Sequence, residues 1–418
     1  MSSLKPSLKP DVSLSLALSP SPSHHHHENL QPEERGIRLI QLLLKCANHA
    51  SSGNLHRADA CLSEISELSS IFGDSMQRLA ARFASALAIR LVKRWPGLYK
   101  ALNNQQQHKI DVDQAKPLFA RAFPYLGFAY MVLTRTLVQA MTYERVIHIV
   151  DLNSGDPKLW VPLLHSLAHL PDGPPHLKIT CLNRDKAILD KLGQSLVKEA
   201  ETLDMPFQFN PLSIGLKELT VDMLKVRSGE ALAFFSILNL HVLLAEDDQV
   251  DVHFGGRKSN SVKNCKPMGD FLTTIRSMSP KLLFLVEQEA DLNLNRLVDR
   301  FVEGLHYYSA VFDSIDATSG NLGGEGRMIL EEMFGREIEN IVACEGLERF
   351  ERHERYGRWA IRFGQGGFKP VRLWFNFNDH VKQMVDGFGK GYKIVSEKTS
   401  LMICWHERPL YAVSAWTC

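Results

Sequence analysis

Residues 145–160 read Arg145-Val-Ile-His-Ile-Val-Asp-Leu-Asn-Ser-Gly-Asp-Pro-Lys-Leu-Trp160, and this stretch decides the fold. Val146 to Val150 is a β-branched run broken only by His148, which alternates into the strand as a satisfied core histidine. The run stops at Asp151. Small polar residues follow, and then Asp156 and Pro157 suit the N-cap and first position of a helix. Strand, tight turn and helix, with an acid at the strand's carboxyl end, is the shape of the first unit of a nucleotide-binding sheet.

Apolar strand patterns recur downstream at 146–150, 177–182, 206–210, 230–237 and 281–286. Helical patterns lie between them, at 185–203 and 268–278. That alternation predicts a parallel sheet covered on both faces. Long helices are expected at 294–316 and 326–343. A polar helix carrying Arg352, Arg355, Arg358 and Arg362 is expected over 349–362, with Glu348, Glu351 and Glu354 making it a salt-bridged, solvated face. Residues 391–396, 400–405 and 409–416 read as antiparallel strands. Residues 246–266 read as an exposed loop.

Upstream of Arg145 the period is helical. Leu39, Leu43, Cys46 and Ala50 share one face, Leu55 to Leu68 a second, and Met76 to Trp95 a third. Further helix is expected over 116–142. The fold class is therefore α/β: a Rossmann-like, methyltransferase-like sheet, mostly parallel with antiparallel C-terminal strands, plus an α-helical cap. Residues 32–145 form the cap and leucine-rich region, and 146–418 the α/β core with added cap helices. Residues 1–31 are a Ser/Pro/Leu-rich leader expected to be disordered.

The 418 residues are 44% hydrophobic and carry 48 basic against 47 acidic side chains, net +1. That balance argues against a broad DNA-binding face and against an acidic activation tail. The seven cysteines are scattered, without C-x-x-C, which fits a reducing compartment. No apolar run approaches a membrane span. The His24–His27 run reads as solvated low complexity. No metal site is expected, because no histidine pair has ligand spacing.

Catalytic signals are weak. A cofactor turn needs glycines for close backbone approach. Here the pocket candidates are Asp151, Asn153 and Gly155, with one glycine among them. The second strand ends at Asn183-Arg184 where a ribose-binding acid would stand, and Asp185 suits a helix cap. Asp151 reads as a structural residue bonded to turn amides. Glu287-Gln-Glu289 ends a strand, and its acids are expected to cap the following helix or face solvent. We expect no catalytic residues and no cofactor.

The motifs then resemble one family. Val146-Ile-His-Ile-Val-Asp151, closed by Trp160, resembles the VHIID element of the plant GRAS regulators. Leu305 to Ser314 with Arg336-Glu337 resembles their PFYRE region. Ser414-Ala415-Trp416 matches the element that ends their domain. The matches cover about residues 32–418, and within the family the chain looks most like its scarecrow-like branch. One departure is the first turn: the family usually carries Gln-Gly and then Gln-Trp there, and over Asn153–Trp160 only the glycine and Trp160 remain.

The resemblance implies a nuclear transcriptional regulator of growth, linked to gibberellin signalling and root development. It implies partners: other GRAS proteins including DELLA repressors, and zinc-finger proteins that hold the DNA, so that DNA contact is indirect and no membrane is involved. Two partner-binding segments stand out. Leu39, Leu42 and Leu43 belong to an L-x-x-L-L pattern on a helix able to enter a groove. Leu14, Leu16 and Leu18 resemble an L-x-L-x-L corepressor peptide. Leu240 to Leu244 matches L-x-x-L-L too, but follows a strand and reads as core. An S-adenosylmethionine-dependent enzyme and a direct DNA binder remain the alternative readings.

Overall fold

β1 (Val146–Asp151) is the centre from which the sheet is laid out. It pairs in parallel with β2 (His176–Leu182) on one side and β4 (Ala231–Ile237) on the other. β3 (Phe207–Leu212) and β5 (Leu282–Gln288) extend the parallel part. The chain then reverses: β9 (Arg408–Thr417) is antiparallel to β5, and β8 (Ser400–Trp405) and β7 (Tyr392–Glu397) follow. The strand order is β3-β2-β1-β4-β5-β9-β8-β7, with the short β6 (Lys369–Val371) also paired to β9. The computed structural model describes residues 31–95, 99–100, 112–153, 156–245, 265–318, 322–373 and 379–418. Leu14, Leu16, Leu18, the His24–His27 run, Gly155 and most of the 246–266 loop lie outside them.

Alternation along β1 separates two cores. Ile147 and Ile149 face a large cluster shared with the cap, and Val150 faces a smaller one on the other side. His148 is buried, with Nδ1 3.0 Å from Glu230 and Nε2 2.9 Å from Thr180. Burial and the Lys178 charge lower its pKa to about 4, so the ring is neutral.

The helices follow the expected spacing. Before β1 stand α1 (Pro32–Ser51), α2 (Leu55–Leu68), α3 (Ser75–Val92), α4 (Val112–Ala122) and α5 (Tyr125–Met141). α6 (Pro157–Ala168) and α7 (Lys186–Thr202) link the first three strands. α8 (Val221–Leu224), α9 (Lys266–Ser277), α10 (Leu297–Thr318), α11 (Gly323–Ala343), α12 (Tyr356–Gln365) and α13 (Asp379–Asp386) complete the set. Local chemistry sets the helix starts: Asp74 and Gln77 form a capping box, Asp156 caps α6, and Asp185 caps α7. No described helix is long and apolar enough to cross a membrane.

The cap is assembled from both sides of the sheet sequence. α3 packs on α10 and α11, α1 packs on α10, and α2 packs against α1 and α3. Arg78 of α3 reaches Glu331 at 2.7 Å and Asp316 at 2.5 Å. Arg90 donates to the Val342 carbonyl at 2.9 Å. This packing corrects the expectation for α1. Leu39, Leu42 and Leu43 are buried against the cap core, because α1 turns that face inward, and its exposed apolar residues are Ile37 and Ile40. Leu240, Leu243 and Leu244 are buried in the second cluster.

Candidate functional site

The strand order reverses direction between β1 and β4, and a cleft of about 770 Å³ opens there, at the carboxyl ends of the parallel strands. The turn after β1 supplies Asn153 and the start of α6 supplies Asp156 and Lys158. The turn after β4 supplies Asn239 and His241. β5 ends in it with Gln288. Glu337 of α11 and the 350–353 segment close the far wall.

At the carboxyl ends of β1 and β2, beside this cleft, the polar groups are bonded to neighbouring main-chain groups. Asp151 is fully buried, with Oδ1 accepting from the Asn153 amide at 3.1 Å and Oδ2 3.7 Å from the Cys181 thiol. Asn239 donates across the switch point to the Leu152 carbonyl at 2.6 Å. At the end of β2, Asn183 accepts from the Asp185 amide at 2.9 Å, and Asp185 accepts from the Ala187 amide at 2.8 Å. Trp160 lies fully buried behind this region, stacked on Phe235 at 6.1 Å.

The far wall differs from expectation. Glu287 neither caps the following helix nor faces solvent. Its Oε1 accepts from the amides of Leu240 and His241, at 2.8 and 3.1 Å, and its Oε2 stands 2.8 Å from His241 Nδ1. Glu289 accepts from the Tyr356 amide at 2.8 Å, at the start of α12. Beside Glu287, the rings of His241 and His353 stack at 3.8 Å and both also face Glu351. Burial alone would lower the His241 pKa, but the Glu287 and Glu351 carboxylates outweigh it and raise it to about 10. Burial likewise would raise Glu287, and the two histidines hold it down at about 2. Sequence spacing gave no sign of this group, because its members come from three separate segments: the turn after β4, the end of β5 and the stretch before α12.

The arginine segment needs a similar correction. Helix begins only at Tyr356, and Arg349, Arg352 and Arg362 are buried rather than solvated. Arg352 donates to the carbonyls of Arg349 and Gly346, both at 2.8 Å, and Arg349 to that of Leu292 at 3.1 Å. A buried irregular segment must satisfy its carbonyls, and guanidinium groups do so here. Arg362 pairs with buried Glu354 at 2.6 and 2.8 Å.

Tyr308 and Gln288 both donate to Glu337 Oε2, at 2.9 and 3.0 Å. Burial, then the Glu351 charge, pushes the Glu337 carboxyl up to about 7. An acid whose pKa rises on folding stabilises the fold fully below its unfolded value, about 4.3, and loses that contribution as pH climbs towards the folded value. Denaturant titrations should therefore show stability falling by up to about 1.4 kcal/mol per pH unit from this group between about pH 5 and 7, and levelling off above that. Glu337→Gln should flatten that slope and be the more stable protein at pH 8; an unchanged slope would exclude Glu337 as its source.

The profile of the GRAS domain family matches residues 39–417. The chain belongs to the GRAS family. It is 39% identical to Scarecrow-like protein 3 of Arabidopsis thaliana, over 94% of this chain and 91% of that protein. It is 33% identical to the DELLA protein RGL1 of the same plant, over 93% of this chain and 71% of that protein. The crystal structure of SCL7 from Oryza sativa superposes with a TM-score of 0.73 at 28% identity, covering 90% of this chain and 99% of that one. The GRAS motif residues take definite places. Val146, His148 and Asp151 form β1. Ser414, Ala415 and Trp416 pair with Leu285, Phe284 and Leu283 of β5. Glu337 lines the cleft, while Arg336 is half-exposed beside Glu332 on the outer side of α11.

Proposed function

We propose that this GRAS protein is a nuclear, non-enzymatic transcriptional co-regulator of plant development that works through protein partners, in gibberellin signalling and root growth. The observation that carries the non-enzymatic part is the bonding at the carboxyl ends of β1 and β2, beside the cleft. Asp151, Asn183 and Asp185, where a nucleotide cofactor would be held, are directed at neighbouring amides. The partners are other GRAS proteins, DELLA repressors among them, and zinc-finger proteins that hold the DNA. A corepressor docks on Leu14, Leu16 and Leu18 of the leader. Similarity to scarecrow-like and DELLA proteins supports the regulatory context. Leu39, Leu42 and Leu43 are core residues of α1 and are left out of the partner surface.

Three measurements test this. Titration calorimetry with S-adenosylmethionine should give no binding heat, and micromolar binding abolished by Asp151→Ala would overturn the reading. A pull-down from plant nuclear extract should recover GRAS and zinc-finger proteins with the full chain. Alanine at Leu14, Leu16 and Leu18 should remove only the corepressor. Specific retardation of DNA by the purified chain alone would favour a direct DNA binder.

A further inference from the structure

The cluster behind the far wall is used by nothing in that reading. We propose that His241 Nδ1, His353 Nδ1 and Glu287 Oε2 hold one divalent transition-metal cation of zinc's class. Glu287 Oε2 lies 2.8 Å from His241 Nδ1 and 3.4 Å from His353 Nδ1. One ligand atom from each residue falls within 4.8 Å of the others. Tetrahedral ligands about 2.0–2.2 Å from zinc stand roughly 3.3–3.6 Å apart, so small ring rotations close the site. All three side chains are nearly inaccessible.

The surrounding shell points the same way. Metal-bound histidines commonly donate their second ring N–H to a carboxylate, which fixes the tautomer. Here Glu351 Oε2 faces Nε2 of both rings, at 3.3 Å from His241 and 2.9 Å from His353. That contact leaves both Nδ1 lone pairs turned to Glu287. The Glu287 carboxylate is itself fixed by the Leu240 and His241 amides on its other oxygen. Charge balance also fits. Two neutral imidazoles, two carboxylates and one divalent cation sum to zero. Without a cation, satisfying the same four contacts takes a proton on every ring nitrogen, which puts two like charges on rings 3.8 Å apart. Binding is thus an exchange of protons for a metal ion. Two imidazole donors favour zinc, cobalt or nickel over magnesium or calcium.

His241, His353 and Glu351 line the cleft and Glu287 stands behind them, so the ion enters from the cleft and a water completes its coordination. The ligands come from the turn after β4, the end of β5 and the segment before α12. The ion therefore acts as a structural clasp, holding that segment against the sheet edge.

The test uses the full chain with His24–His27 replaced by asparagine, since that run binds the same metals. After stripping with a chelator, the protein is loaded with zinc or cobalt(II) and passed through gel filtration. One equivalent should be retained, with the visible cobalt absorption of a four-coordinate site, and zinc should raise Tm. Glu287→Gln and His353→Gln should lose the metal, and Glu351→Gln should weaken it by about 10- to 100-fold. Should the ligand variants fail to fold, the cobalt spectrum and zinc-dependent Tm of the parent chain decide. No retained metal, or the same cobalt spectrum in folded Glu287→Gln and His353→Gln proteins, overturns the proposal.

Discussion

Glu354→Ala is expected to lower the unfolding free energy by about 3–5 kcal/mol. Glu354 is fully buried at its side chain, and Arg362 nearly so. The two form a bidentate pair at 2.6 and 2.8 Å, and Asn293 donates to Glu354 at 2.8 Å. Removing the carboxylate leaves a guanidinium that cannot shed its charge in a medium of low dielectric. The penalty comes mainly from keeping that guanidinium buried without its bidentate carboxylate, rather than from the lost attraction. The double variant Glu354→Leu with Arg362→Leu should therefore be clearly more stable than Glu354→Ala. Urea unfolding followed by circular dichroism measures both. If the double variant were no better than the single one, the buried guanidinium would not be the cause, and loss of the Asn293 contact would have to explain the effect.

That segment also marks where sequence reading stops. Strand boundaries were readable to within a few residues, because apolar runs such as Val146–Val150 and Leu282–Val286 must alternate or bury on both faces. Helix starts were readable at Asp156 and Asp185, since capping is local chemistry. Residues 349–362 failed for the opposite reason. Interleaved arginine and glutamate look like a solvated helix, yet Arg349 and Arg352 turn inward to serve the carbonyls of Leu292 and Gly346, which no local pattern announces. The same holds for the cleft. His241, Glu287, Glu351 and His353 lie in separate segments, and only the sheet order brings them together. Leu39 and Leu43 were legible as an apolar stripe, but a stripe does not say whether a core or a partner covers it; here α1 packs against α2, α3 and α10 and these leucines are buried.

Trp160→Ala should destabilise the protein by a similar amount, about 3–5 kcal/mol, by opening a cavity where α6 meets the sheet. Trp160 is fully buried, stacks on Phe235 at an interplanar angle of 27°, and packs with Ile147 and Ile149 of β1 in the large core. Its indole N–H has no hydrogen-bond partner among the described residues. The ring is thus held by packing alone, which sets a second expectation. Trp160→Phe removes an unpaired buried donor as well as some contact area, and those changes oppose each other. It should stay within about 1.5 kcal/mol of the parent. The two variants also separate scaffold from chemistry. If residues 145–160 nucleate a sheet, Trp160→Phe should recover the same partners in a pull-down, and Trp160→Ala should lose them only as far as it unfolds. Loss of partners by a fully folded Trp160→Phe protein would place recognition in this stretch itself and count against a purely architectural role.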